Sequence, residues 1–156
     1  MQADRGLLYY EVSMGNNDAS RFNKFIANLL KLLVFQTKSH VLIMDNSRIH
    51  KPTELREIIE DGRIHHQLKF LPPYSPQLNP IEIMFSSWKA AIKNIEMNRD
   101  VMDADLKRYI EEASATVKSE TKAKGWYSHV MKYYTKCALG EPLDEKYNTN
   151  TLASLI

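Results

Sequence analysis

Between His40 and Trp88 the chain carries two features that restrict what it can fold into. One is an apolar run, Val41, Leu42, Ile43, Met44, that stops on Asp45 and Asn46. The other is a proline-rich turn, from Leu71 to Pro76, that leads into Asn79, Pro80, Ile81 and Glu82. Four apolar residues without alternation predict a strand buried on both faces, the ordinary state of an inner parallel strand. The loop after such a strand lies at the carboxyl edge of the sheet, where open α/β sheets bind ligands. Asp45 therefore occupies a functional address by position alone, against the plainer reading that Asp45 and Asn46 only start a turn. Asn79, Pro80 and Glu82 fit the N-cap, first and third positions of a helix, the capping-box arrangement. Taken alone, Glu82 reads more readily as a cap than as a catalyst, although a cap would also hold its carboxylate firmly at a helix start.

Together the two blocks resemble the catalytic core of mariner-like and insertion-sequence transposases, members of the DDE transposase and retroviral integrase superfamily. Asp45, Asn46, His50 and Lys51 carry the likeness in the first block. Leu71, Pro72, Pro73, Tyr74, Ser75, Pro76, Leu78 and the run from Asn79 to Glu82, with Trp88 and Lys89, carry it in the second. The resemblance implies an α/β, ribonuclease H-like (integrase-type) fold: a mixed sheet flanked by helices, here missing its first strands, with a helical C-terminal part. It implies Asp45 and Glu82 as the second and third acids of a catalytic triad, 82 − 45 = 37 positions apart, slightly longer than the family spacing. It also implies Mg2+ or Mn2+ as a pair of ions and DNA as the partner; a homo-oligomer is one assembly the sequence leaves open. Acids suit that chemistry because in-line phosphodiester cleavage needs both the attacking and the leaving oxygen stabilised, which two ions about 3.5–4 Å apart accomplish. Magnesium prefers oxygen and keeps waters, so a few carboxylates and a substrate phosphate suffice. Asn46, His50, Lys51, Lys89 and Lys93 are the residues expected on the DNA side, with a solubilising role the alternative for the lysines and a backbone-bonded loop histidine the alternative for His50.

The first acid of the family lies at the end of an earlier strand. Asp4 precedes the first predicted strand and does not match, so the expectation is an N-terminally truncated catalytic domain over 1–140, with a C-terminal tail over 141–156. Two acids in place of three leave a two-ion site short of a shared ligand, which predicts little nuclease activity from the chain by itself. The second reading is a non-catalytic DNA-binding or protein-interaction module that keeps the fold as scaffold. Composition is compatible with both: 156 residues, 44% hydrophobic, suit one domain with a real core, and a net charge of +2 is too weak to argue for nucleic acid unaided. Cys137 is the only cysteine, which excludes an internal disulfide. No apolar run long enough for a membrane span occurs and the start lacks a signal peptide's apolar core, so an intracellular chain is expected, nuclear if eukaryotic, with no membrane partner.

The remaining elements follow from periodicity and punctuation. Residues 6–14 are rich in β-formers and predict a strand, and residues 18–38 predict a helix capped by Asp18 or Ser20 that crosses to the strand at Val41. A short helix over 53–61 is expected with Thr53 as its cap and Leu55, Ile58 and Ile59 inward. His65 and His66 are adjacent and read as structural or surface groups rather than a metal pair. A strand over 67–71 should end at Pro72 and Pro73, and the helix from Pro80 should pack Met84, Phe85 and Trp88 on the sheet. Two helices, over 102–119 and 123–139, complete the chain. The second interleaves Trp126, Tyr127, Tyr133 and Tyr134 with lysines; core packing is the favoured account and a nucleic-acid surface the alternative.

Overall fold

The computed structural model describes residues 1–13, 15–33, 38–60, 64, 66–97 and 106–143. They form a mixed α/β structure, mostly helical, in two compact units. One spans Ser13–Ser75, and the other combines Met1–Val12 with the chain from Pro76 onward.

In the first unit, helix α1 (Ala19–Leu33) starts where Asp18 can cap it. The Arg21 amide donates to Asp18 Oδ1 at 2.8 Å, satisfying one of the donors that a helix start leaves open. Strand β1 (Val41–Met44), helix α2 (Pro52–Glu60) and strand β2 (Gln67–Phe70) make a parallel βαβ unit, with Leu42 opposite Leu68 and Met44 opposite Phe70. The ladder is prolonged at both ends, by the Gln67 amide on the His40 carbonyl and by the Leu71 amide on the Met44 carbonyl, each at 2.9 Å. Ile26, Leu42, Met44, Leu55 and Ile59 form the core, with Phe22, Phe25, Leu68 and Phe70 packed against it. Fully burying residues such as Leu55 and Ile59 contributes about 1.5–3 kcal/mol each.

Several expectations are corrected here. Strand β1 is not buried on both faces: Leu42 and Met44 are inside, while Val41 and Ile43 are 54% and 50% exposed. The two-stranded sheet has α1 and α2 to bury one face, so a continuous apolar run ends up half-buried. The sheet among the described residues is wholly parallel rather than mixed. Thr53 lies inside α2 instead of capping it, since Pro52 takes the first helical position. Residues 7–13 form no strand; only Gln2 and Gly6 pair, in an isolated antiparallel bridge. A strand needs a neighbour, and the segment instead lays Leu7 and Tyr10 on the helical core of the second unit.

That second unit is built on α3 (Pro80–Met97), α4 (Leu106–Ser114) and α5 (Glu120–Ala138), with single 3-10 turns at Pro76–Leu78 and Ala115–Val117. Ile83, Met84 and Trp88 of α3 meet Ala113, Val117, Ala123, Trp126 and Val130, so the apolar face of α3 finds its core among the C-terminal helices. Trp88 donates its indole N–H to the Ile110 carbonyl at 3.0 Å and takes the Tyr10 ring edge-on, with centroids 5.1 Å apart. Phe85, expected inward, is 40% exposed, and in α4 Leu106 is 45% exposed while Tyr109 is buried. Gly6 is needed as glycine: at φ +76° a Cβ would meet the Val117 and Ser119 carbonyl oxygens at 3.1 Å. In α5, Ser119 accepts the Lys122 amide at the start, and Gly140 at φ +71° closes the end by donating to the Cys137 carbonyl. Trp126 and Val130 are buried and the Tyr134 hydroxyl donates to the Leu78 carbonyl at 3.1 Å, as the core account of these aromatics requires. The expected tail falls mostly on 144–156, outside the described residues, as do His65 and the proposed helix start at 102.

Two outcomes test this packing. Leu55→Ala should destabilise the first unit by about 2–5 kcal/mol, read from urea or thermal melts followed by far-UV circular dichroism. His66 Nδ1 accepts the His40 amide at 3.2 Å, and burial, then the neighbouring His40 charge, lowers its pKa below the ordinary 6.5. A lowered histidine pKa means that the unfolded chain takes up the proton first. The stability His66 contributes is complete above about pH 6.5 and is lost as pH falls below it. His66→Asn, which keeps an acceptor and cannot titrate, should flatten the decline of the melting temperature between pH 7.5 and 5.5.

Candidate functional site

Asp45 follows the last residue of β1, with its carboxylate 53% exposed at the carboxyl edge of the sheet. The chain then turns back on itself through Ser47 to His50, whose amide donates to the Ser47 carbonyl at 3.0 Å. This return brings the imidazole to Asp45: Nδ1 lies 2.9 Å from Asp45 Oδ1 and 3.0 Å from the Asp45 main-chain oxygen. Both partners only accept, so Nδ1 carries a proton and donates to each. The ring is in turn held by Phe22 of α1, stacked on it with centroids 4.1 Å apart. His50 thus makes the backbone bond that was one of its two expected roles, and the same nitrogen also donates to the Asp45 carboxylate, a contact the sequence did not suggest.

Beside this pair lies a cleft of about 410 Å³ lined within residues 46–54, including Asn46, Arg48, His50 and Lys51. Asn46 and Arg48 are exposed. Lys51 is engaged: its ammonium lies 2.9 Å from Glu54 Oε1, while Glu54 Oε2 accepts from Asn23 of α1 at 2.7 Å. The hydrogen bonds from Lys51 and Asn23 hold the Glu54 carboxyl below its usual range. Lys51 therefore brings less free positive charge to the cleft than its sequence position suggests, and Arg48 becomes the main cation there.

Glu82 lies in the other unit, in the first turn of α3. Asn79 is the N-cap, its side-chain oxygen 3.4 Å from the Ile81 amide. A capping box would need Glu82 to accept from the Asn79 amide, but that amide already donates to the Pro76 carbonyl at 2.9 Å. The cap reading of Glu82 is thereby corrected, and its exposed carboxylate is left to solvent. Lys89 and Lys93, two and three helical turns further on, are exposed on the same face of α3 as Glu82.

Sequence reasoning missed the stacking of Phe22 on His50, the locking of Lys51 by Glu54 and Asn23, and the full exposure of Tyr74. Phe22 with His50, and Asn23 with Glu54, join residues about thirty positions apart, for which no local spacing gives a signal, whereas Lys51 and Glu54 stand at i,i+3 and did offer one. The third did have one, in the prolines around it.

The description "DDE superfamily endonuclease" belongs to a family model that matches residues 2–105, about two-thirds of the chain. The chain belongs to that transposase-related family, which implies a ribonuclease H-like fold, divalent metals and a nucleic-acid substrate. No curated protein and no solved structure matches it. No helix among the described residues is long and apolar enough to cross a membrane. The donors fit such a metal in kind, since carboxylate oxygens are the hard ligands that magnesium takes, and His50 engages Asp45 through Oδ1. Among the described residues no three His, Cys, Asp or Glu side chains gather at one point.

Because Glu82 closes no capping box, replacing it should be nearly silent for folding. Glu82→Gln is expected to change stability by no more than about 0.5 kcal/mol, whereas Asn79→Ala should cost about 1 kcal/mol, both measured by denaturant melts.

Proposed function

We propose that the chain is a DDE-type catalytic domain acting on DNA, cleaving and joining phosphodiesters with Asp45 and Glu82 as two of the carboxylates that hold divalent ions. The observation that carries this reading is Asp45 itself, an exposed acid at the carboxyl edge of a parallel strand, held by a stacked histidine beside a cleft with Arg48. Bound Mg2+ or Mn2+ would supply stabilisation of the charge that develops on the attacking and leaving oxygens. The protein's own contributions are separate. Asp45 and Glu82 supply hard oxygen ligands. His50 fixes the direction of the Asp45 carboxylate, so that less freedom is lost when a ligand is gripped. Arg48, Lys89 and Lys93 neutralise backbone phosphates and set the register of the DNA.

The exposed cations also support a second reading, binding without turnover, in which the fold is a scaffold. The two separate on the dependence of each activity on the acids. Under the first, Mn2+ binding followed by calorimetry weakens at least tenfold in Asp45→Asn and in Glu82→Gln, and metal-dependent nicking of supercoiled plasmid is lost in both. His50→Ala should weaken Mn2+ binding about tenfold while His50→Gln, which can still donate, restores part of it. Metal affinity indifferent to both acids would remove the site. Salt-dependent DNA binding with no nicking, unchanged in the acid variants, would select the scaffold reading.

A further inference from the structure

The residue least explained by packing is Tyr74. Its side chain is 100% exposed, while its backbone sits at φ +56°, the left-handed region that a bulky aromatic residue rarely enters. Folding alone favours neither: a buried ring would gain from leaving water, and glycine or asparagine would hold this turn without strain. The surrounding chain imposes the posture. Pro72, Pro73 and Pro76 each restrict φ, and the Ser75 hydroxyl donates to the Pro73 carbonyl at 3.2 Å, so the ring is presented on a stiff turn. The turn leaves β2 where the Leu71 amide bonds the Met44 carbonyl, one residue before Asp45. The loop carrying Tyr74 and the candidate catalytic acid therefore spring from one edge of the same two strands.

We propose that Tyr74 is a stacking platform for an unpaired nucleobase of the nucleic acid engaged at the Asp45 edge, a role that rests on the nucleic-acid reading above and adds a contact to it. The ring has only two side-chain torsions to lose on binding and stands open to solvent on a stiff backbone, and every base offers a π-face, so the contact tolerates sequence. In an intact duplex those faces are already covered by neighbouring bases. A single protruding ring can reach one only where the stack is broken, at a strand end, a nick or an extrahelical base. The hydroxyl is dispensable for this; the ring is not.

The test compares labelled oligonucleotides in anisotropy titrations: an intact duplex, the same duplex with one unpaired base, and the single strand. Tyr74→Ala should bind the unpaired-base duplex and the single strand about tenfold more weakly and the intact duplex nearly as wild type, while Tyr74→Phe keeps wild-type affinity throughout. A 2-aminopurine at the unpaired position should be quenched by wild type and by Tyr74→Phe but not by Tyr74→Ala. Circular dichroism melts of Tyr74→Ala that match wild type would exclude a folding defect. Equal affinity of Tyr74→Ala and wild type for all three oligonucleotides overturns the stacking role and leaves the nucleic-acid reading intact. So does a changed self-association of Tyr74→Ala in sedimentation with no change in oligonucleotide affinity, which would make the ring a protein contact. Failure of wild type to bind any of the three overturns the nucleic-acid reading, and the stacking role with it.

Discussion

The ladder between β1 and β2 is the constraint on which the candidate site depends. Four paired residues and one further hydrogen bond at each end are a small sheet, and a two-stranded sheet has little stability unless helices cover it. Here α1 and α2 supply that cover, and Leu55 and Ile59, entirely or almost entirely buried, bind the crossover helix to the strands. Because the strands are parallel and in register, Asp45 and the Leu71 turn emerge at the same edge. The chemistry-bearing loops are thus positioned by backbone hydrogen bonds before any side chain acts.

On this edge the acid is not a solitary exposed carboxylate. Phe22 steadies His50, His50 steadies Asp45, and Glu54 ties Lys51 to Asn23, so α1 reaches the site twice without supplying a catalytic group. A helix that sequence periodicity assigns to core packing thereby also sets the orientation of polar groups. The same economy is seen at Glu82, where the cap is closed by Asn79 and the Pro76 carbonyl and the carboxylate remains outside.

What was legible in the sequence follows from how local each signal is. Strong punctuation read well: the prolines after β2, Pro80 opening α3, Asp18 before α1 and Gly140 after α5 all act within a few residues. The block from Leu71 to Glu82 was specific enough to reach the family directly. Signals that depend on a distant partner read poorly. The run at Val41 gave the strand and not its half-exposed state, because burial on the second face depends on what packs there. The β-rich residues 7–13 found helices to lie on instead of a strand to pair with. Phe85, expected inward, is 40% exposed because a broad apolar helix face does not say which of its edges is covered.

One arrangement bears on how the molecule can be observed. Both tryptophans, Trp88 and Trp126, lie buried in the core of the second unit, and the first unit holds a single tyrosine, the exposed Tyr74. Emission excited at the red edge of the absorption band therefore arises from the second unit, whereas the unit that carries Asp45 has to be followed through its helices in the far ultraviolet.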